Sequence, residues 1–178
     1  SLPLICKTFA SAIKGLKGSA ASDKSERTSQ EISIKAVITG IVAIAFAIWI
    51  LPPIQAGIVS ALLIVVFGFF FATVSSKMVG LVGSSNNPVS GMAIATLLIS
   101  TILLKVSGDT GAHGMVSAIT IGSIICVIAA IAGDTSQDLK TGYILGATPK
   151  KQQIGELVGA IISALTIGGV LILLDSAW

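Results

Sequence analysis

Apolar residues run along this chain in long blocks, and the polar residues gather in the gaps between them. No Asp, Glu, Lys or Arg occurs in the 41 residues between Lys35 and Lys77. Wound as helix at about 1.5 Å per residue, that stretch measures roughly 60 Å, two crossings of a ~30 Å hydrocarbon core. Pro52-Pro53 divides it, since two prolines cannot continue a helix. The pattern predicts a first span over 36–51 and a second over 54–74. A short third block follows over 91–104, a fourth over 115–132, and a fifth over about 156–174. The fifth helix has an earlier start signal, because Thr148-Pro149 makes a good N-cap and first-turn pair. The expected fold is all-α: a polytopic integral membrane helical bundle of about five transmembrane spans in residues 35–178. One broken or re-entrant segment is expected near 78–92.

Residues 1–34 read differently. Leu2, Ile5, Phe9, Ile13 and Leu16 recur every three or four positions, with Lys7, Lys14 and Lys17 mostly opposite. That is a basic amphipathic helix, suited to a membrane surface or to packing on a partner domain. The small, polar, mixed-charge residues 18–31 form a linker.

Composition confirms lipid as the solvent. The chain is 53% hydrophobic and 11% charged, against about 25% charged for a soluble domain. A soluble enzyme, a disordered chain and a nucleic-acid-binding domain are excluded, the net charge of +3 being too small and too scattered for nucleic acid. The cations instead report topology. With the N-terminus in the cytoplasm, ten of the eleven Lys and Arg residues fall inside and only Lys105 outside, as expected for a multi-pass protein of the cell membrane. Cys6 and Cys126 stand far apart, so neither a disulfide nor a zinc site is expected. There is no P-loop, HExxH or GxSxG motif, which disfavours an ATP motor or a membrane enzyme. No cofactor or metal is expected. Gly155, Gly159 and Ser163 sit four apart in the fifth span, and Ala118, Gly122, Cys126 and Ala130 four apart in the fourth. Such small-residue rows let helix backbones approach in lipid.

Two segments carry candidate chemistry. In Gly83–Met92, GSSNNPVSGM, the residues Ser85, Asn86, Asn87 and Ser90 are polar but uncharged, and Pro88 and Gly91 disturb helix geometry. Irregular backbone at membrane depth is tolerated only inside protein or beside a wet cavity. A broken helix whose amides and carboxamides face a substrate path is one reading; a plain cytoplasmic Asn-Pro turn is the other. In GDTSQDLKTGYILGATPKKQQ, 133–153, Asp134 and Asp138 lie four apart and share a face if the fourth helix continues, with Gln137, Lys140, Thr141 and Tyr143 around them. They suit cation binding, proton relay or gating; the alternative is a solvated loop in which the acids pair with Lys140 or Lys150. His113 and Asp109 flank a glycine-rich outer turn, where a lone His is a candidate titrating group.

Both segments resemble the oligopeptide transporter family, which includes the yellow-stripe-like metal-chelate transporters, and its prokaryotic branch most. The residues that carry the likeness are Gly83 through Met92 and Gly133 through Tyr143, continuing through Gly146-Ala147-Thr148-Pro149 to Gln152-Gln153. The plant branch has Phe at the place of Leu139. The resemblance implies proton-coupled uptake of small peptides or peptide-like metal chelates. It makes Ser85, Asn86, Asn87, Pro88, Ser90 and Gly91 candidates for the substrate path, and Asp134, Gln137, Asp138, Lys140, Thr141 and Tyr143 candidates for coupling or gating. Expected partners are membrane lipid, the peptide or chelate substrate, protons, and the remaining helices of a longer transporter of which this chain is a C-terminal piece. A channel with one Asn-Pro re-entrant loop and a non-transporting scaffold or accessory subunit are the alternatives.

Overall fold

A computed structural model describes residues 27–50 and 58–177. The expected amphipathic helix, the Pro52-Pro53 turn and Cys6 lie outside the described residues. Among those described, five helices are long and apolar enough to cross a membrane: α1 Ile34–Ile50, α2 Ile58–Val82, α3 Val89–Val106, α4 Gly111–Ile144 and α5 Pro149–Ala177. The chain is a multi-pass membrane protein.

Two helices outrun their apolar blocks. α2 continues through Lys77 to Val82, and α4 continues through Asp134, Asp138 and Lys140 to Ile144. A charged residue ends the greasy part of a helix without ending its backbone hydrogen bonding. α2 stops where Gly83 adopts φ 89°, a conformation glycine enters at little cost. The hairpin of α4 and α5 turns at Gly146, φ 71°. Lys151 N and Gln152 N then bond back to Thr148 O at 3.0 and 3.4 Å, so the fifth helix does start at Thr148-Pro149.

The described residues fall into two compact units, 33–137 and 27–32 with 138–177. In the first, α2, α3 and α4 share a core of Ile64, Phe71, Met92, Leu104, Ala118, Ile121, Ile125 and Ala129, with Phe70 set edge-on to Phe71 at 5.1 Å. α1 reaches this core through Ile48, and Cys126 is a partly buried free thiol. Small residues make the approach possible. A Cβ on Gly122 would stand 2.6 Å from Leu97 Cδ2, and one on Gly68 3.1 Å from Ile128 Cδ1. The buried row on α4 is Ala118, Gly122, Ile125 and Ala129, then Gly133, not the strict four-residue series ending at Cys126 and Ala130. Steps of four advance a helix face by about 40°, and a step of three restores it.

In the second unit, residues 27–32 are strapped to the α4–α5 hairpin. Arg27 donates to Gly146 O at 2.7 Å, Lys150 N to Gln30 O at 2.8 Å, and Ile32 N to Gln153 Oε1 at 3.0 Å. Gly155 and Gly159 on α5 meet nothing within 4 Å of a would-be Cβ.

Ile125 is fully enclosed, so Ile125→Ala should lower unfolding stability in detergent by about 2–5 kcal/mol, and Ile125→Val by about 1 kcal/mol. Equal effects of the two would overturn this placement of the core.

Candidate functional site

Between α2 and α3 the chain leaves helix for six residues, 83–88, with a 3-10 turn over Ser84–Asn86. The interruption is narrower than the 78–92 expected from sequence, because both flanking helices run up to it. Its backbone is almost fully accounted for. The amides of Gly83, Asn86, Asn87 and Val89 bond to Val79 O, Gly83 O, Ser84 O and Asn87 O. Ser84 N has no backbone partner and donates to Gln137 Oε1 at 2.7 Å. Asn86 Nδ2 returns to Val82 O at 3.3 Å, covering a carbonyl at the end of α2 that the helix itself cannot satisfy.

Asn87 is the hub. Its Nδ2 donates to Ser75 Oγ at 2.8 Å and to Ala129 O at 3.3 Å, and Ser75 Oγ donates to the same carbonyl at 2.5 Å. The carboxamide therefore ties the break to α2 and α4 together. Asn87 Oδ1 is enclosed and meets no donor. Gly133 makes room for this contact, since a Cβ there would lie 2.5 Å from Asn87 Nδ2 and 3.0 Å from Ser75 Oγ. A second pair of bonds extends the seam: Ser76 Oγ donates to Ala132 O at 3.1 Å, and Ser136 Oγ to Ser76 O at 3.0 Å. Beside the seam is a groove of about 570 Å³ lined by Thr73, Ser76, Lys77, Gly80 and Ser136 with apolar neighbours.

The other expected residues of the break lie outward. Ser85, Asn86, Pro88, Ser90 and Gly91 are exposed, and Pro88 occupies the N-cap position of α3. Of the expected coupling residues, Gln137 is joined to the break through Ser84. Asp134, Asp138, Lys140, Thr141 and Tyr143 are exposed along the last three turns of α4. Asp138 takes part through its backbone, its carbonyl accepting from Gln152 Nε2 at 3.1 Å. His113 Nδ1 and Asp109 Oδ1 are 2.6 Å apart at the start of α4. Among the described residues no group of three His, Cys, Asp or Glu is placed to hold a metal.

Sequence reasoning missed Ser75 and Ser76, and gave Gly133 and Ser136 no role of their own within the Gly133–Tyr143 motif. A Ser-Ser pair inside an otherwise apolar span was the available signal, because hydroxyls in lipid look for partners on neighbouring helices.

The family model for the OPT oligopeptide transporter protein matches residues 4–177, so the described break, the seam and all five helices fall inside it. The chain belongs to the oligopeptide transporter family. It is 38% identical over 130 residues to a candidate oligopeptide transporter of Haemophilus influenzae, an alignment covering 68% of this chain and 20% of that protein. It is 37% identical over 79 residues to a candidate oligopeptide transporter of Saccharomyces cerevisiae, covering 44% of this chain and 10% of the yeast protein. The chain thus spans about a fifth or less of the length of these relatives. No solved structure matches it.

If Gly133 exists to admit Asn87, the two positions are coupled. Asn87→Ala and Gly133→Ala should each cost about 1–3 kcal/mol of unfolding stability, through lost or displaced buried hydrogen bonds. In the Asn87→Ala background Gly133→Ala should cost clearly less, giving a coupling of about 1 kcal/mol or more in a double-mutant cycle. Additive effects would separate the two residues.

Proposed function

We propose that this chain is part of a secondary transporter that moves oligopeptides, or peptide-like metal chelates, across the cell membrane as a proton-coupled symporter. The observation that carries the reading is a membrane-helix break of neutral hydrogen-bonding residues, sewn to a neighbouring helix, in a chain whose family is one of oligopeptide transporters. Broken helices are where secondary transporters expose backbone and carboxamide groups to substrate near the midplane. The N-terminus is cytoplasmic, on the distribution of lysine and arginine, and the membrane domain begins at residue 35. The remaining helices of the transporter complete the path.

In this mechanism the exposed edge of the break faces substrate. Ser85, Asn86 and Ser90 offer neutral hydrogen bonds to peptide amides or chelate carboxylates. Pro88 and Gly91 keep the start of α3 open, while Asn87 holds the break in place. Asp134 or Asp138 is the protonatable or cation-pairing group, with Lys140 as its partner, and Gln137, Thr141 and Tyr143 form the gate around it. A neutral hydrogen-bonding surface suits peptides of varied sequence, since it reads the backbone they share.

Uptake by the full-length transporter tests this. Asn86→Ala or Ser90→Ala should raise KM for a peptide about 3- to 10-fold, the worth of one hydrogen bond. Asp134→Asn or Asp138→Asn should abolish the dependence of uptake on external pH. Undiminished, still pH-dependent uptake in both acid variants would remove them from coupling.

A further inference from the structure

Three serine hydroxyls in the unit 33–137 are enclosed and meet no hydrogen-bond partner: Ser60 on α2, Ser100 on α3 and Ser117 on α4. The three residues are 1%, 0% and 1% exposed. Each belongs to the buried row of its helix. Ser60 continues the row of Ile64, Phe71 and Ser75. Ser100 lies between Thr96 and Leu104, and Ser117 between Gly114 and Ile121.

Contacts elsewhere in the core bring the three to one level. Short turns join α2 to α3 and α3 to α4, so α2 and α4 run parallel and α3 opposite. Ser75 Oγ on α2 bonds to Ala129 O on α4. Fifteen residues back along each helix stand Ser60 and Gly114, and Ser117 is within one turn of Gly114. On α3, Leu97 lies against Gly122. Three residues on from Leu97 is Ser100, and three back from Gly122 is Ile119, two positions from Ser117. The serines thus gather where α2 begins, α3 ends and α4 begins. The Asn87 seam lies at the other end of the same helices, roughly 22 Å away along α2.

Neighbouring hydroxyls behave differently. Thr96, Thr101 and Thr120 donate to the carbonyl four residues back at 2.8, 2.7 and 2.8 Å. Ser100 and Ser117, on the same two helices, make no such bond. An enclosed hydroxyl without a partner is costly, and here three of them share one level of one core. We propose that Ser60, Ser100 and Ser117 form a buried water-binding site, in which one water molecule bridges α2, α3 and α4.

The chemistry matches that ligand. A buried water makes about three hydrogen bonds to groups that otherwise lack them, and a serine hydroxyl both donates and accepts. The enclosure suits nothing much larger. No charged residue is buried among those described, so the ligand is neutral. An open cleft of about 370 Å³ approaches the site, lined by Leu104 and Ala118 together with Thr101, Lys105 and Asp109. Leu104 is one turn from Ser100, and Ala118 adjoins Ser117. The site does not depend on the substrate or on proton coupling.

Radiolytic hydroxyl-radical labelling of the purified full-length transporter, in water enriched in heavy oxygen, tests the site directly, because a buried water makes its radicals in place. Ile64 and Ile121, both closed to bulk solvent, should take up heavy oxygen in wild type and lose that label in Ser100→Ala. A wild type unlabelled at both positions overturns the proposal, and so does label that Ser100→Ala leaves unchanged. Stability gives a second readout. Each of Ser60→Ala, Ser100→Ala and Ser117→Ala should lower the folding equilibrium constant about 5- to 10-fold. A second of these substitutions in the same molecule should add at most about 2-fold, since the shared water has already lost an anchor. Effects that multiply would mean three separate hydroxyls, and single variants as stable as wild type would mean three dry ones; either result overturns the shared water.

Discussion

Lipid offers the backbone nothing to bond to, and that constraint organises the seam between α2 and α4. A helix that stops inside or at the edge of a membrane leaves amides and carbonyls that its own ladder cannot use. Here the stop spans only 83–88, and the groups it frees are met by side chains: Gln137 of α4 for Ser84 N, and Asn86 of the break itself for Val82 O. Pro88, which has no amide to satisfy, stands where the next helix begins. The break is thus built from residues that either repair the backbone or reduce the repair needed.

The same constraint explains why the seam is made of glycine and serine. Asn87 reaches Ala129 O only because α4 carries no side chain at Gly133, and the Ser75 and Ser76 hydroxyls bond to carbonyls on the facing helix. In water such contacts compete with solvent; in hydrocarbon they have no rival except the helix's own carbonyls. Packing by large apolar residues does occur in the core around Ile121 and Ile125, but lipid tails match those side chains almost as well. Position along the helix is set by the polar contacts, which need particular atoms opposite one another.

Much of this was legible in the sequence. The five apolar blocks, the interruption at the Asn-Pro pair and the helix start at Thr148-Pro149 follow from hydropathy and local stereochemistry, and both declare themselves over short distances. Helix length was not legible. α2 passes its apolar block by eight residues and α4 by twelve, because hydropathy marks where lipid ends and backbone hydrogen bonding has no reason to end there. Nor was the division of labour among Ser85, Asn86, Asn87 and Ser90. As residue types they are interchangeable hydrogen-bonders; only the approach of Gly133 turns Asn87 inward and leaves the others exposed. The small-residue row on α4 was placed on the wrong residues past Gly122 for a geometric reason, since four-residue steps walk around the helix.

Neutral groups do the interior work here, and that choice has a consequence for the charged ones. A carboxamide can be enclosed and bonded at both ends without a counter-ion, while an enclosed carboxylate must find a cation or a proton. Asn87, Gln137, Gln152 and Gln153 all use their amides to bind backbone or to accept from it. Glu156 stands among such residues with an oxygen enclosed and no partner, one turn from a glutamine whose nitrogen is already committed.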